Sequence, residues 1–235
     1  MKKIGIIIFL VALAAGIVLA NISSFGRLSP SFLNVSLNFG TVSGSGNVVT
    51  QNRDIRNFTA IDVSGIFKIE AVAQKDFDVA VQADDNLMPF IKTEVRGDTL
   101  YIESDKRLKS SGPIIIRVSA PDFANVEASG AANISVKDLN SNELGLNSSG
   151  ASKVSLQGSV NNLIVDVSGA SNIDAGDLTA KTARVDASGA CSVSVNVSNH
   201  LDVDASGASK VFYSGTVESE NIVKSASGAS RVVRK

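Results

Sequence analysis

Leu201-Asp202-Val203-Asp204-Ala205-Ser206-Gly207-Ala208-Ser209-Lys210-Val211 is the stretch on which the fold turns. Its first half alternates apolar and polar residues, the period of a strand with one face toward a core and one toward water. Ser206-Gly207 interrupts the alternation, and it resumes by Val211. A glycine between two such runs marks a corner, because a Cβ obstructs positive φ and close backbone approach.

The unit recurs. Ser-Gly-Ala occurs six times, with glycines at Gly130, Gly150, Gly169, Gly189, Gly207 and Gly228, spaced by 20, 19, 20, 18 and 21 residues. Four places after each glycine stand Ile134, Val154, Ile173, Val193, Val211 and Val232, all β-branched. Four places before stand Val126, Leu146, Val165, Val185, Val203 and Lys224. One such unit cannot bury its apolar face, but a stack can, each strand pairing with its equivalent about 4.8 Å along the axis. The fold class is therefore all-β, a single-domain β-helix or solenoid with coils of roughly 20 residues. In this reading the alanine after each glycine points inward beside the bend. Ser152, Ser171, Ser209 and Ser230, with Cys191 in the same slot, form a hydroxyl ladder. Length variation, as at Asp138 to Glu143, loops outward.

Residues 1–20 are of another kind. Met1-Lys2-Lys3 precedes an unbroken apolar run, Ile4 to Ala20, which reads as a cleaved export signal or a retained membrane anchor. Residues 21–45, rich in Ser, Asn and Gly, read as a linker, and 46–235 as the solenoid. Within it, 46–120 form irregular coils and a cap, and 121–235 the six repeats. Phe58 to Ile69 is a degenerate coil with its corner at Ser64-Gly65, and Phe77–Gln82, Thr99–Glu103 and Ile114–Val118 are strand-like. Asp85 to Ile91 is expected to make a short helical turn capped by Asp85 or Asn86. At the other end the last repeat presents an open coil, which either associates end-on with another copy or is guarded against that by the charges of Arg231, Arg234 and Lys235.

Composition agrees with a thin core. Aromatics are 5% of the chain and Trp is absent, so Val, Ile, Leu and Ala must fill the interior. With 22 basic and 23 acidic residues there is no charge excess to suggest nucleic acid. One cysteine, Cys191, excludes an internal disulfide.

Three segments together carry a family resemblance: the Ser-Gly-Ala-Ser-x-Val repeat, the stretch Asp62-Val63-Ser64-Gly65-Ile66-Phe67-Lys68-Ile69, and Asp85-Asn86-Leu87-Met88 with Gly97-Asp98-Thr99-Leu100-Tyr101-Ile102. Over residues 55–233 the sequence resembles the auto-transporter adhesin, head GIN domain family of bacteria. The resemblance implies a β-helical fold, export to the envelope (periplasm or cell surface) and adhesion to a cell-surface or matrix ligand. It implies no catalytic residue. No membrane barrel is written between the last repeat and Lys235, so self-translocation is not expected.

Two polar columns are candidates for function. Asn133, Lys153, Asn172, Ser192, Lys210 and Arg231, three places after each glycine, form the candidate ligand-facing column. Three places before stand Glu127, Asn147, Asp166, Asp186, Asp204 and Ser225, with Asp62 equivalent, a column whose acids would hold a cation or else be screened by Lys153, Arg184 and Lys210. The acids recur with the repeat, which favours a structural cause over a unique catalytic pair, so no enzymatic activity and no cofactor are expected. Lone His200, read as a turn residue, and Cys191 give no metal set. The alternative functions are a structural envelope protein assembling end-on and a carbohydrate-active β-helix enzyme.

Overall fold

The computed structural model describes residues 40–235. The apolar run at 4–20 and most of the 21–45 linker lie outside the described residues. Among those described, no helix is long and apolar enough to cross a membrane. The strands in chain order are β1 (Val42–Ser43), β2 (Val48–Arg53), β3 (Ala60–Gly65), β4 (Lys68–Val72), β5 (Asp78–Asp84), β6 (Ile91–Arg96), β7 (Thr99–Ser104), β8 (Leu108–Lys109) and β9 (Ile115–Ser119). The repeats supply β10 (Asn125–Gly130), β11 (Asn133–Ser148), β12 (Lys153–Val167), β13 (Asn172–Ala187), β14 (Ser192–Ala205), β15 (Lys210–Ser214), β16 (Ile222–Ala226) and β17 (Arg231–Arg234).

They form a β-solenoid of about six turns. The two apolar columns pair in the register read from the alternation. Val126 faces Leu146, then Val165, Val185 and Val203 follow in turn. Ile134, Val154, Ile173, Val193 and Val211 do the same after the corner, and all of these side chains are buried.

The corner glycines explain the repeat. Gly130, Gly150, Gly169, Gly189, Gly207 and Gly228 all have positive φ, and an added Cβ on each would meet the carbonyl oxygen of the glycine below at 2.5–2.9 Å. That same carbonyl accepts a hydrogen bond from the alanine N–H of the coil above, at 2.7 Å for Ala170 on Gly150 and 2.8 Å for Ala190 on Gly169. Glycine is thus required twice, for its dihedral and for the approach of the next coil.

Three expectations are corrected. The alanines after the glycines are exposed at the convex corner, while Ala132, Ser152, Ser171, Cys191 and Ser209, one place later, are the buried residues. Their side chains do not form a hydroxyl ladder. Ser152 and Ser209 donate to the carbonyls of Gly130 and Gly189, the Cys191 thiol donates to that of Ser188, and Ser171 accepts from the Ser148 hydroxyl rather than from a member of its own slot. The segments of variable length do not loop outward either. They continue as strand and carry a third inward column, Ser141, Val160, Ala180 and Val197, paired in sequence and buried.

The first regular coil comes well before the repeats. β3 pairs in parallel with β10, Gly65 beneath Gly130, and β4 with the start of β11, Ile69 beneath Ile134. Residues 74–123 leave this coil and return to it. On the way they lay β7 under β3 and β9 under β4 in parallel, with β6 and β5 added antiparallel, and the earlier strand β2 pairs antiparallel with β5. So 58–73 is a regular coil, and the cap is the excursion around it together with β2. Val42–Ser43, inside the stretch read as linker, already pair with Leu108–Lys109.

The short helical turn is a 3-10 turn at Met88–Phe90, with Leu87 at its N-cap and no side-chain cap. Asp85 and Asn86 instead tie down the 43–47 segment. Asn86 accepts from the Ser45 N–H and donates to the Ser43 carbonyl, and Asp85 accepts from Asn47 Nδ2 at 2.8 Å. Asp84 beside them is fully buried. Its carboxylate accepts from Ser110 Oγ, Ser111 Oγ, the Ser111 N–H and the Gly46 N–H at 2.8–3.2 Å. The Ser110 hydroxyl, then Ser111, holds its carboxyl below the usual carboxylate range. Because the folded value lies below the unfolded one, this stabilisation is complete above the unfolded pKa of about 3.9. It is lost as pH falls through the folded value. Asp84→Asn is expected to lower the melting temperature at neutral pH by several degrees, since the amide would set a donor against donors, and to flatten the acid limb of a melting-temperature profile. An acid limb identical to that of the unsubstituted chain would contradict the assignment.

In the last coil two inward positions turn basic. Lys224 stands over Val203, its ammonium 2.8 Å from the Tyr213 hydroxyl and 4.4 Å from the ring centroid. Arg234 stands over Tyr213 and donates to the Gly215 carbonyl at 3.1 Å. Arg231, by contrast, points outward, paired beside Lys210. Of the guards expected at this end, Arg234 faces the core column and Arg231 does not, and Lys224 joins Arg234.

Candidate functional site

Period two places alternate side chains outside, and the stack aligns them into columns. Asn133, Lys153, Asn172, Ser192, Lys210 and Arg231 are brought into one such column by consecutive pairings, and Lys68 extends it below Asn133. Each is exposed except Ser192 and Lys68, which are partly so. Lys68 could be anticipated from Gly65, three places before it. It binds Glu70 at 2.7 Å, which Arg117 also approaches at 3.3 Å.

The acidic column lies on the strand before the corner. Asp62, Glu127, Asn147, Asp166, Asp186 and Asp204 pair in turn. Asn147 splits it into a pair and a triplet. The pair borders a shallow groove of about 330 Å³ lined by Asp62, Glu127, Ser129, Asn147, Asp166 and Ser168. Burial, then the charges of Glu127 and Glu103, raises the Asp62 carboxyl above its ordinary value, with Arg96 pulling the other way. In the triplet, Arg184 pairs with Asp186 at 3.1 Å and reaches Asp202 at 3.8 Å. Lys153 and Lys210, expected to screen the acids, belong to the other column, past the corner. Among the described residues no three acidic, His or Cys side chains are placed to hold a metal ion.

The third outward face was not separated from loop in the sequence. Asn140, Asn142, Ser159, Asn161, Thr179 and Lys181 line a groove of about 330 Å³ there, and Asn161 donates to Asn142 at 2.8 Å. His200 lies on this side, exposed, in strand β14 opposite Thr182 rather than in a turn.

These features define an all-β solenoid that carries its polar chemistry as axial columns repeated coil by coil. The family model described as "Putative auto-transporter adhesin, head GIN domain" matches residues 57–216, and the chain belongs to that family. Among solved structures it is similar to a putative adhesin from Bacteroides fragilis, at 19% identity and a TM-score of 0.66, covering 83% of this chain and 100% of that one. A putative adhesin from Parabacteroides merdae gives 17% identity and a TM-score of 0.55, covering 83% and 99%. A putative lipid binding protein from Parabacteroides distasonis gives 20% identity and a TM-score of 0.50, again covering 83% and 99%. At these identities the likeness is one of fold. No curated protein sequence matches the chain.

Proposed function

We propose that the chain is a non-enzymatic binding scaffold exported to the cell envelope, where its axial columns engage an extended cell-surface or matrix polymer. The observation that carries this reading is the exposed column Asn133, Lys153, Asn172, Ser192, Lys210 and Arg231, held in register by backbone pairing on both sides. Polar side chains recurring every ~4.8 Å, three of them basic, suit a partner that is itself extended and repetitive. Membership of a family described as adhesins supports the same reading. The outward polar residues repeat with the coil, whereas a catalytic centre needs a unique constellation.

A glycan and matrix-protein array probed with residues 21–235 is expected to show a restricted set of hits. The triple variant Lys153→Glu, Lys210→Glu, Arg231→Glu is expected to lose them by at least about tenfold while melting at nearly the same temperature, since all three side chains point to solvent. A blank array would favour a structural envelope role, and hits retained by the variant would remove this column from the binding face.

A further inference from the structure

Among the described residues two buried side-chain polar atoms have no hydrogen-bond partner, Arg53 Nε and Thr93 Oγ1. Both residues line the same groove, of about 500 Å³, at the cap end of the solenoid, with Gln51, Met88, Pro89 and Lys92 around them. They reach it from separate elements. Arg53 is on β2, which pairs only with β5, and Thr93 is on β6, which pairs only with β7. Buried polar groups in folded proteins are almost always satisfied, so two orphaned atoms on residues that line one groove point to an acceptor bound there.

The charges around the groove say which kind. Lys92 is paired with Asp105 at 2.7 Å, and Glu94, also on the groove, is bonded to Arg96. Arg53 forms no ion pair among the described residues, so its guanidinium is the uncompensated charge. A guanidinium N–H and a hydroxyl are two donors, and a carboxylate offers one oxygen to each in a charge-assisted arrangement. Met88 and Pro89 supply apolar surface for the carbon skeleton beside it. We propose that this groove binds a carboxylate, of the kind carried by acidic side chains and by uronic acids. The proposal stands apart from the ligand-facing column, sharing no residue with it.

Calorimetric titration of the full chain with hexaglutamate, tetragalacturonate and inorganic phosphate tests the site. At least one carboxylate probe is expected to bind, and Arg53→Gln and Thr93→Val are each expected to weaken it by about tenfold or more. The probe that binds tells peptide from polysaccharide. Thr93→Val is further expected to melt at the same or a higher temperature, because it removes an orphaned hydroxyl at nearly constant volume. The proposal is overturned if neither carboxylate probe binds, if phosphate binds as well as they do, or if both variants bind like the unsubstituted chain. A lower melting temperature for Thr93→Val would also overturn it, by showing that the hydroxyl already has a structural partner.

Discussion

Gly169→Ala is expected to destabilise the protein by at least about 3 kcal/mol, large for the addition of one methyl group. Two costs add. Residue 169 has φ +80°, where a side chain with a Cβ is strained by roughly 1–2 kcal/mol. The new Cβ would also lie 2.5 Å from the Gly150 carbonyl oxygen, which accepts the Ala170 N–H. Relief requires parting two coils at a corner where their backbones are hydrogen-bonded. Gly112→Ala is the control, because nothing lies within 4 Å of its would-be Cβ and its φ is not in the left-handed region. That variant is expected to stay within about 0.5 kcal/mol of the parent. Denaturant unfolding of both measures the difference, and equal stabilities would refute the account of the corner.

The double variant Lys224→Val, Arg234→Val is expected to form end-to-end oligomers at micromolar concentration, larger than any species the parent chain forms. In the last coil these two side chains occupy inward places that are apolar in the coils below, and Val223 and Val233 beside them are already 55% and 45% exposed. Replacing the charges would leave a continuous apolar end bordered by the free edges of β16 and β17, a template for another chain. Arg231→Val, which alters an outward position, is expected to leave the sedimentation coefficient unchanged. Sedimentation velocity separates the cases, and a double variant that sediments like the parent chain would show that the basic residues are not what keeps the end apart.

The repeat was legible because glycine, β-branched residues and period two all point the same way between Asn125 and Val232. The register of the two main columns followed from aligning six glycines, and the corner at Gly65 from one more. The third inward column was not legible. Register shifts between Val136 and Leu139, Ser155 and Gln157, and Ala175 and Thr179 break the alternation where that column begins, and a bulge erases the periodic signal by which a strand is read. The inward alanine was misplaced for a related reason. Counting alternate residues across a corner assumes that the corner keeps phase, whereas the Ser-Gly-Ala turn exposes three consecutive residues at Ser149, Gly150 and Ala151. The candidate ligand-facing column needed only the register and so was placed as one line. The cap-end groove between β2 and β6 was beyond reach, because neither strand was read from sequence and nothing local announces that Arg53 and Thr93 share a cavity.

The pairing of β3 with β10 has a bearing on how the chain finds its shape. Gly65 and Gly130 are 65 residues apart, whereas each later coil closes on a neighbour about 20 residues away. Loop-closure entropy grows only logarithmically, so this junction costs about 1 kcal/mol more than any single coil above it. The topological expense of the molecule is concentrated at one seam near its base. Beyond that seam every contact is sequence-local, and whole turns can be inserted or deleted at a cost confined to their immediate neighbours.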